Sequence, residues 1–379
     1  MKIAVNTRLL LKDRLEGIGW FTHECLSRIV RQHPEHQFYF LFDRAYDESF
    51  VYAPNVTPMV VHPQARHPYL WYLFFEFGVP HELKRIRPDL FLSTDGWIPT
   101  RPQGVPVVNV IHDLNFVHHP DFIEKQTVKR YYDRFFPQFA RCADRIATVS
   151  EYTRQDIHQQ YGVSLDKIDV VYNGSNDLYR PMTPEEQQAV KAEFSQGADF
   201  FLFVGLIHKR KNLANIFRAF DAFKEQQTSD AKLVVVGDKK WWQGEIEDTY
   251  LAMQHRDDVI MLGRQKVEVL QKLYASARGL VYASLFEGFG IPIVEAFNAE
   301  TAVITSNVTS MPEVAGDAAV LVDPHSVQEM ADAMTRLWNE DDFRDSLIAK
   351  GREQRKLFSW QQTADRLWAT VETVLFPGS

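Results

Sequence analysis

The feature that most constrains this chain is a rhythm. Short β-branched or aromatic runs recur along it, each followed by a glycine-rich or polar turn and then by a segment of helical period. Such alternation specifies a parallel α/β architecture. In the first half the strand runs are 2–5, 38–42, 90–93, 107–111, 145–149 and 168–171. In the second half they are 200–204, 232–236, 259–261, 279–283, 302–305 and 319–322. With 379 residues, at roughly 150 per domain, the chain has room for two or three domains, each burying its own core. The proline-rich, polar segment 177–184 reads as the linker, and Thr183-Pro-Glu-Glu opens the next helix as a capping box. The expected division is 1–178, 179–358 and a final helix in 359–379 that packs back toward the first domain.

Composition removes several function classes. The net charge of -8 gives no basic face for neutralising phosphates, so a nucleic-acid partner is not expected. The two cysteines, Cys25 and Cys142, lie in no metal-ligand spacing and are too few for a disulfide scaffold. No run approaches the roughly 20 apolar residues that span a bilayer, and the most apolar segment, 69–79, is interrupted by Glu76. The start of the chain turns polar at Asn6-Thr7-Arg8 and lacks a signal-peptide pattern. The expectation is a cytoplasmic protein, at most attached to the inner face of the membrane. The aromatic stretch 69–77, with Lys84, Arg85 and Arg87 after it, is either core or a peripheral membrane contact.

Parallel sheets bind ligands outside the carboxyl ends of their strands, and the polar clusters fall there. The richest is Ser284-Leu-Phe-Glu287-Gly-Phe-Gly-Ile-Pro292-Ile-Val-Glu295-Ala. Its glycines let backbone N–H groups approach a ligand, and the helix opening near Pro292 favours an anion. Glu295 is expected in the first helical turn. Two carboxylates beside an anion site suggest acceptors for sugar and ribose hydroxyls. A dipole-favouring glutamate at a helix start would account for Glu295 alone. After the run 200–204 and Gly205 comes His208-Lys209-Arg210-Lys211-Asn212, a cationic cluster suited to a diphosphate or else a solvated basic turn. His112-Asp113 follows the run 107–111, where the histidine can meet a sugar hydroxyl and Asp113 can fix its tautomer or meet an acceptor. Gly17-Ile-Gly19 precedes a helix expected over 20–30, and either packs tightly or reaches a phosphate.

Together with V-I-H-D-L (110–114), Y-N-G (172–174), V-G-L-I-H-K-R-K-N-L (204–213) and M-P-E-V-A-G-D-A-A (311–319), the two spaced glutamates resemble the retaining glycosyltransferases of family 4. The resemblance covers essentially the whole chain. It implies a GT-B fold, with two Rossmann-like doubly wound domains facing across a cleft, the N-terminal one for acceptor and the C-terminal one for nucleotide sugar. It further implies that Glu287 contacts hydroxyls of the transferred sugar and that Glu295 holds the ribose. Backbone at Phe289, Gly290 and Ile291 would meet sugar or phosphate. Lys211 and Arg210 would bind the pyrophosphate, His112 the donor sugar, and Gly17, Gly19 and Gly205 would line the donor. Leu206 stands where some relatives carry arginine. Glu300 stands in 297–301, where a glycine turn is usual.

The implied reaction is retaining transfer of a hexose, mannose as first guess, from a nucleotide sugar to a hydroxyl of a glycan or lipid-linked glycan. GDP-mannose leads, with UDP- and dTDP-hexoses next. No D-x-D, phosphate-loop or G-x-S-x-G motif occurs, so neither a metal nor a cofactor is expected. A nucleotide-sugar epimerase of the same fold and a non-catalytic nucleotide-binding scaffold subunit are the alternatives. The oligomeric state is not legible.

Overall fold

The computed structural model describes residues 1–123, 125–227, 229–376 and 378. The chain divides into two units, Met1–Asn173 with Trp360–Ser379, and Gly174–Ser359. Each is built on one parallel sheet.

The first unit holds seven strands: β1 (Lys2–Asn6), β2 (Gln37–Phe42), β3 (Val56–Val60), β4 (Leu90–Ser93), β5 (Val107–Ile111), β6 (Arg145–Thr148) and β7 (Ile168–Val170). Their order is β3-β2-β1-β4-β5-β6-β7, which makes it a doubly wound sheet whose direction reverses between β1 and β4. β5 is buried along its whole length, as a strand covered by helices on both faces must be. β3 is absent from the strands read in the sequence. It contains Pro58, opposite Phe40 of β2, and proline within a run argues against a central strand. β3 is the edge strand, pairing only with β2, so its missing N–H leaves no ladder bond unmade.

In the second unit the strands are β8 (Phe200–Val204), β9 (Lys232–Val236), β10 (Val259–Gly263), β11 (Gly279–Tyr282), β12 (Val303–Ser306) and β13 (Ala319–Val322). They run in the order β10-β9-β8-β11-β12-β13, with the reversal between β8 and β11. The helix Leu213–Gln226 that follows β8 buries Leu213, Ile216, Phe217, Phe220 and Phe223, one stripe of helical period. These residues join Leu233, Val235 and the helix residues Met330, Met334 and Leu337 in a single core. Each such side chain contributes about 1.5–3 kcal/mol on burial. The connection into this unit ends in a complete capping box, with Thr183 and Glu186 bonding each other's backbone.

The last helix, Trp360–Leu375, belongs to the first unit. Trp368 stacks on His33 at 3.9 Å, and Trp360 meets Phe21 edge-on at 6.3 Å. The aromatic stretch 69–77 is neither wholly core nor wholly surface. Phe74 and Phe75 are fully buried, while Tyr69 and Phe77 are 72% and 60% exposed. Among the described residues, no helix is long and apolar enough to cross a membrane.

At the turn that lacks glycine, Glu300 itself adopts the left-handed conformation, with φ +60°. That costs a non-glycine residue roughly 1–2 kcal/mol. Glu300 bonds Arg352 on the surface, and such exposed pairs are worth about 0–1 kcal/mol. Glu300→Gly should therefore be neutral to about 1 kcal/mol more stable, read as the urea midpoint. A loss greater than that would mean the ion pair outweighs the backbone cost.

Candidate active site

The reversal of strand order between β8 and β11 decides where a ligand crevice can open. Connections leaving the two strands wind to opposite faces of the sheet, so their carboxyl ends are left uncovered. Two loops meet at this point. The turn after β8 carries a single 3-10 turn, Lys209–Lys211, whose Arg210 N–H is capped by His208 at 3.2 Å. Asn212 closes it in the left-handed conformation, and its side-chain amide donates to the carbonyls of Ala283 and Pro324 at 2.9 and 2.6 Å. The loop after β11 is tied back by Leu285 N–H to Arg210 O at 2.8 Å. Strand ends and loop are thus stitched before any side-chain chemistry is considered.

Three charged groups then converge. Lys211 Nζ donates to Glu287 Oε1 at 2.7 Å and to the Tyr282 hydroxyl at 2.6 Å. The Arg210 guanidinium donates to the other Glu287 oxygen and, at 2.9 Å, to Phe286 O. The Lys211 and Glu287 side chains are only 10% and 9% exposed. Burial opposes ionisation of Glu287, but Arg210 and Lys211 outweigh it and hold its pKa down to about 2. The same burial drives the Tyr282 hydroxyl strongly upward, so it stays a neutral donor. Two cations and one carboxylate leave a net positive centre at the strand ends. The Glu287 backbone is fixed as well: its N–H donates to Thr309 Oγ1 at 3.3 Å, and Ser310 Oγ donates to Glu287 O and Phe289 O, both at 2.9 Å.

Past Phe289, Gly290 takes φ +106°, a conformation that glycine alone adopts freely. The helix Ile291–Asn298 starts there, with Pro292 in its first turn. Glu295 is therefore in the second turn rather than the first, because the helix opens at Ile291. Its carboxylate sits beyond the reach of the helix dipole, which fades within one turn. It does not touch Glu287. Instead Tyr274 donates its hydroxyl to Glu295 Oε2 at 2.7 Å, and the Tyr179 ring meets Tyr274 edge-on at 5.4 Å. Burial pushes the Glu295 pKa above the ordinary carboxylate value, while the two hydroxyls and the Lys211 charge pull against it.

Of the remaining sequence-read residues, His112, Asp113, Gly17 and Gly19 lie in the first unit and Gly205 follows β8 in the second. His112, after β5, donates Nε2–H to Thr94 O at 2.8 Å, which leaves Nδ1 as the acceptor in the neutral ring. Burial lowers its pKa. Asp113 does not set that tautomer; it accepts from the N–H of Asn115 at 2.9 Å, just ahead of the short helix Asn115–His118. Phe21, on the helix Gly17–Gln32, meets the His112 ring edge-on at 4.8 Å. Gly17 is exposed with open space about its Cα. Gly19 is enclosed, and a Cβ there would lie 3.0 Å from Leu9 O, so packing alone requires it. Gly205 sits beside Lys211, whose side-chain carbons lie 3.5 Å from where a Cβ would be.

Sequence reasoning did not single out Tyr282, Tyr274, Tyr179, Thr309 and Ser310, although Tyr274, Thr309 and Ser310 bond the two glutamates, Tyr282 bonds Lys211 and Tyr179 packs on Tyr274. Thr309 and Ser310 directly precede the M-P-E-V-A string, a signal that could have found them. The tyrosines sit in a strand, a helix and a linker, and only their contacts betray a role.

Residues 15–177 match the family model described as Glycosyltransferase Family 4, and residues 184–354 match the one described as Glycosyl transferases group 1. The O-antigen chain mannosyltransferase B of Escherichia coli is 30% identical over 257 residues, 67% of each chain. The chain belongs to glycosyltransferase family 4. This glycosyltransferase is also 27% identical over 309 residues to the O-antigen chain mannosyltransferase RfbU of Salmonella typhimurium, covering 77% of this chain and 80% of that one. Its fold is that of sucrose-phosphate synthase from Thermosynechococcus elongatus, with TM-score 0.79 at 18% identity and full coverage of both chains. The Anabaena protein HepE, crystallised with UDP-glucose, superposes with TM-score 0.74 at 17% identity, covering 98% of this chain and 100% of that chain. Both units are accordingly Rossmann-like, as the family resemblance implied.

Proposed function

We propose that this glycosyltransferase moves a hexose, mannose first, from a nucleotide sugar to a hydroxyl of a glycan or lipid-linked glycan, with retention at the anomeric carbon. The observation that carries the reading is the Arg210–Glu287–Lys211 cluster at the reversal point of the second sheet. It is a buried positive centre beside a helix N-terminus, the arrangement that receives a diphosphate. Two relatives named as O-antigen mannosyltransferases support mannose, and a neighbour of the same fold holding UDP-glucose supports a nucleotide-sugar donor.

In this mechanism Lys211 and Arg210 stabilise charge as it develops on the leaving diphosphate. Glu287 offsets one of the two positive charges until the diphosphate binds. A carboxylate held near pKa 2 by two cations is a weak nucleophile, which favours a front-face reaction in which the leaving phosphate helps to deprotonate the acceptor. A sugar trapped covalently on Glu287 would overturn that step. GDP-mannose is the first donor to try, ahead of UDP- and dTDP-hexoses, and Glu295 is assigned to the ribose.

Calorimetric titration with GDP, UDP and dTDP tests the donor site. One nucleotide should bind, and Glu295→Ala should bind it about ten-fold or more weakly, the worth of a charge-assisted hydrogen bond. If no nucleotide binds, or the variant matches the wild type, the donor site is wrongly assigned.

A further inference from the structure

His33, Glu35 and His36 lie in the turn between the helix Gly17–Gln32 and β2, within the first unit. Both rings face one carboxylate oxygen: Glu35 Oε1 is 3.6 Å from His33 Nδ1 and 3.4 Å from His36 Nε2. One ligand atom from each of the three residues lies within 4.8 Å of the other two. A zinc ion holds nitrogen and carboxylate ligands at about 2.0–2.2 Å, which sets the edges of its tetrahedron at about 3.3–3.6 Å. Two of the three edges already have that length.

The turn is held in shape from several sides. Asn55 Nδ2 donates to the carbonyls of Val30, His33 and His36 at 2.9, 3.1 and 3.0 Å, which clamps the backbone on both sides of Glu35. The His33 ring stacks on Trp368 of the last helix at 3.9 Å, and the His36 ring lies 5.3 Å from the same indole. Stacking engages the faces of the rings and not their in-plane nitrogens. His36 turns its other nitrogen, Nδ1, to the Met1 amine at 3.3 Å, and such a partner orients a ligand ring. The His33 and His36 side chains are 23% and 12% exposed and that of Glu35 is 59% exposed, so the cluster is enclosed on one side and open to an ion on the other. Glu372, one turn past Trp368 on the last helix, adds a second negative charge that acts on His36.

We propose that His33, Glu35 and His36 form a binding site for a divalent transition-metal ion, zinc first, that rigidifies the turn against which the last helix packs. Two imidazole nitrogens and one carboxylate oxygen suit zinc, copper and nickel, whereas magnesium and calcium take oxygen ligands. Water completes the coordination on the open side. The site belongs to the first unit, and the Arg210–Glu287–Lys211 cluster belongs to the second. The ion is structural and takes no part in the transfer chemistry, so the two readings stand or fall separately.

The test is calorimetric titration of the full chain, freed of any affinity tag, with zinc chloride and, for comparison, magnesium chloride. The proteins are wild type, His33→Gln, Glu35→Gln and His36→Gln. Wild type should bind one zinc ion at this site and show no magnesium binding there. Each substitution should weaken zinc by at least about ten-fold, since even an outer partner of a ligand is worth about 10–100-fold in affinity. Zinc should also raise the urea midpoint of wild type and leave that of Glu35→Gln nearly unmoved, because an ion that binds only the folded chain stabilises it. His33 packs on Trp368, so a histidine variant that fails to fold leaves the decision to Glu35→Gln, whose side chain is largely exposed. No zinc binding by wild type, or binding by Glu35→Gln as tight as that of wild type, overturns the site. Zinc bound without any rise in the wild-type urea midpoint overturns the rigidifying role, since the unfolded chain then holds the ion equally well.

Discussion

Lys211→Met should slow turnover of the donor by about 10²–10³, the usual effect of removing one preorganised charge from an electrostatic site. It should also destabilise the protein by about 3–5 kcal/mol, the cost of breaking a buried ion pair by removing one partner. Both effects have one origin. Lys211 neutralises Glu287 in the empty site, at 2.7 Å and with both side chains nearly enclosed, and it is assigned to the diphosphate in the occupied one. Methionine keeps the stem volume, so packing loss is not the source. The two effects separate in the double variant Lys211→Met/Glu287→Gln, which should recover stability without recovering turnover. The pH dependence gives a third reading. The folded-state pKa of Glu287, about 2, lies below its unfolded value of roughly 4.3. Its contribution is therefore full above the unfolded value and is lost as pH falls through the folded one. With Lys211 gone the folded pKa rises toward the unfolded value, so the part of stability lost on acidification should be smaller than in wild type. Nucleotide release and unfolding midpoints measure all three. A single variant within a few-fold of wild-type turnover would remove Lys211 from the chemistry. A double variant no more stable than the single one would remove Glu287 as the reason for the instability.

The second large effect is steric. Gly237→Ala would place a methyl carbon 2.0 Å from the carbonyl oxygen of Gly205, so backbone has to move. Gly205 N–H donates to Val236 O at 3.0 Å, and Gly237 N–H donates to Gly263 O at 3.0 Å. The carboxyl ends of β8, β9 and β10 are therefore tied together at this point, and the methyl would force the first two apart. A loss of about 3 kcal/mol is expected, at the top of the range for overpacking. Because the turn after Gly205 carries Arg210 and Lys211, nucleotide binding should weaken along with stability. Gly17→Ala is the control for stability, since nothing lies within 4 Å of the added carbon, and its unfolding midpoint should shift by less than about 0.5 kcal/mol. Chemical denaturation of the two variants side by side decides the matter. A small effect at Gly237 would mean that the strand ends yield more readily than their hydrogen bonds imply.

Much of this was readable before any coordinates. Alternation of apolar runs, turns and helical periods fixes strand after strand, because a strand buried on both faces has to be continuously apolar. The exception, β3, is instructive: Pro58 hides a strand whose edge position is visible only once β2 lies beside it. Placement of Glu287, Lys211 and His112 just after strands followed from the same rhythm, since polar residues and glycines at carboxyl ends are all that a parallel sheet leaves open to a ligand. The turn of helix that Glu295 occupies was off by one, because the helix opens at Ile291, a residue before proline.

The sequence by itself determined the inventory: two parallel sheets, a cationic turn, two glutamates eight residues apart, and the strand ends that carry them. Only the tertiary structure decided who partners whom. Glu287 meets Arg210 and Lys211 across separations of 77 and 76 residues, a contact that exists because β8 and β11 are neighbours although β9 and β10 lie between them in the chain. Glu295 escapes that cluster and is bonded by Tyr274 from the helix Val267–Ser276. Local patterns set which residues form strands and turns because those choices depend on the nearest few residues. Charge pairing and pKa depend on groups brought together by sheet order, which no local pattern records.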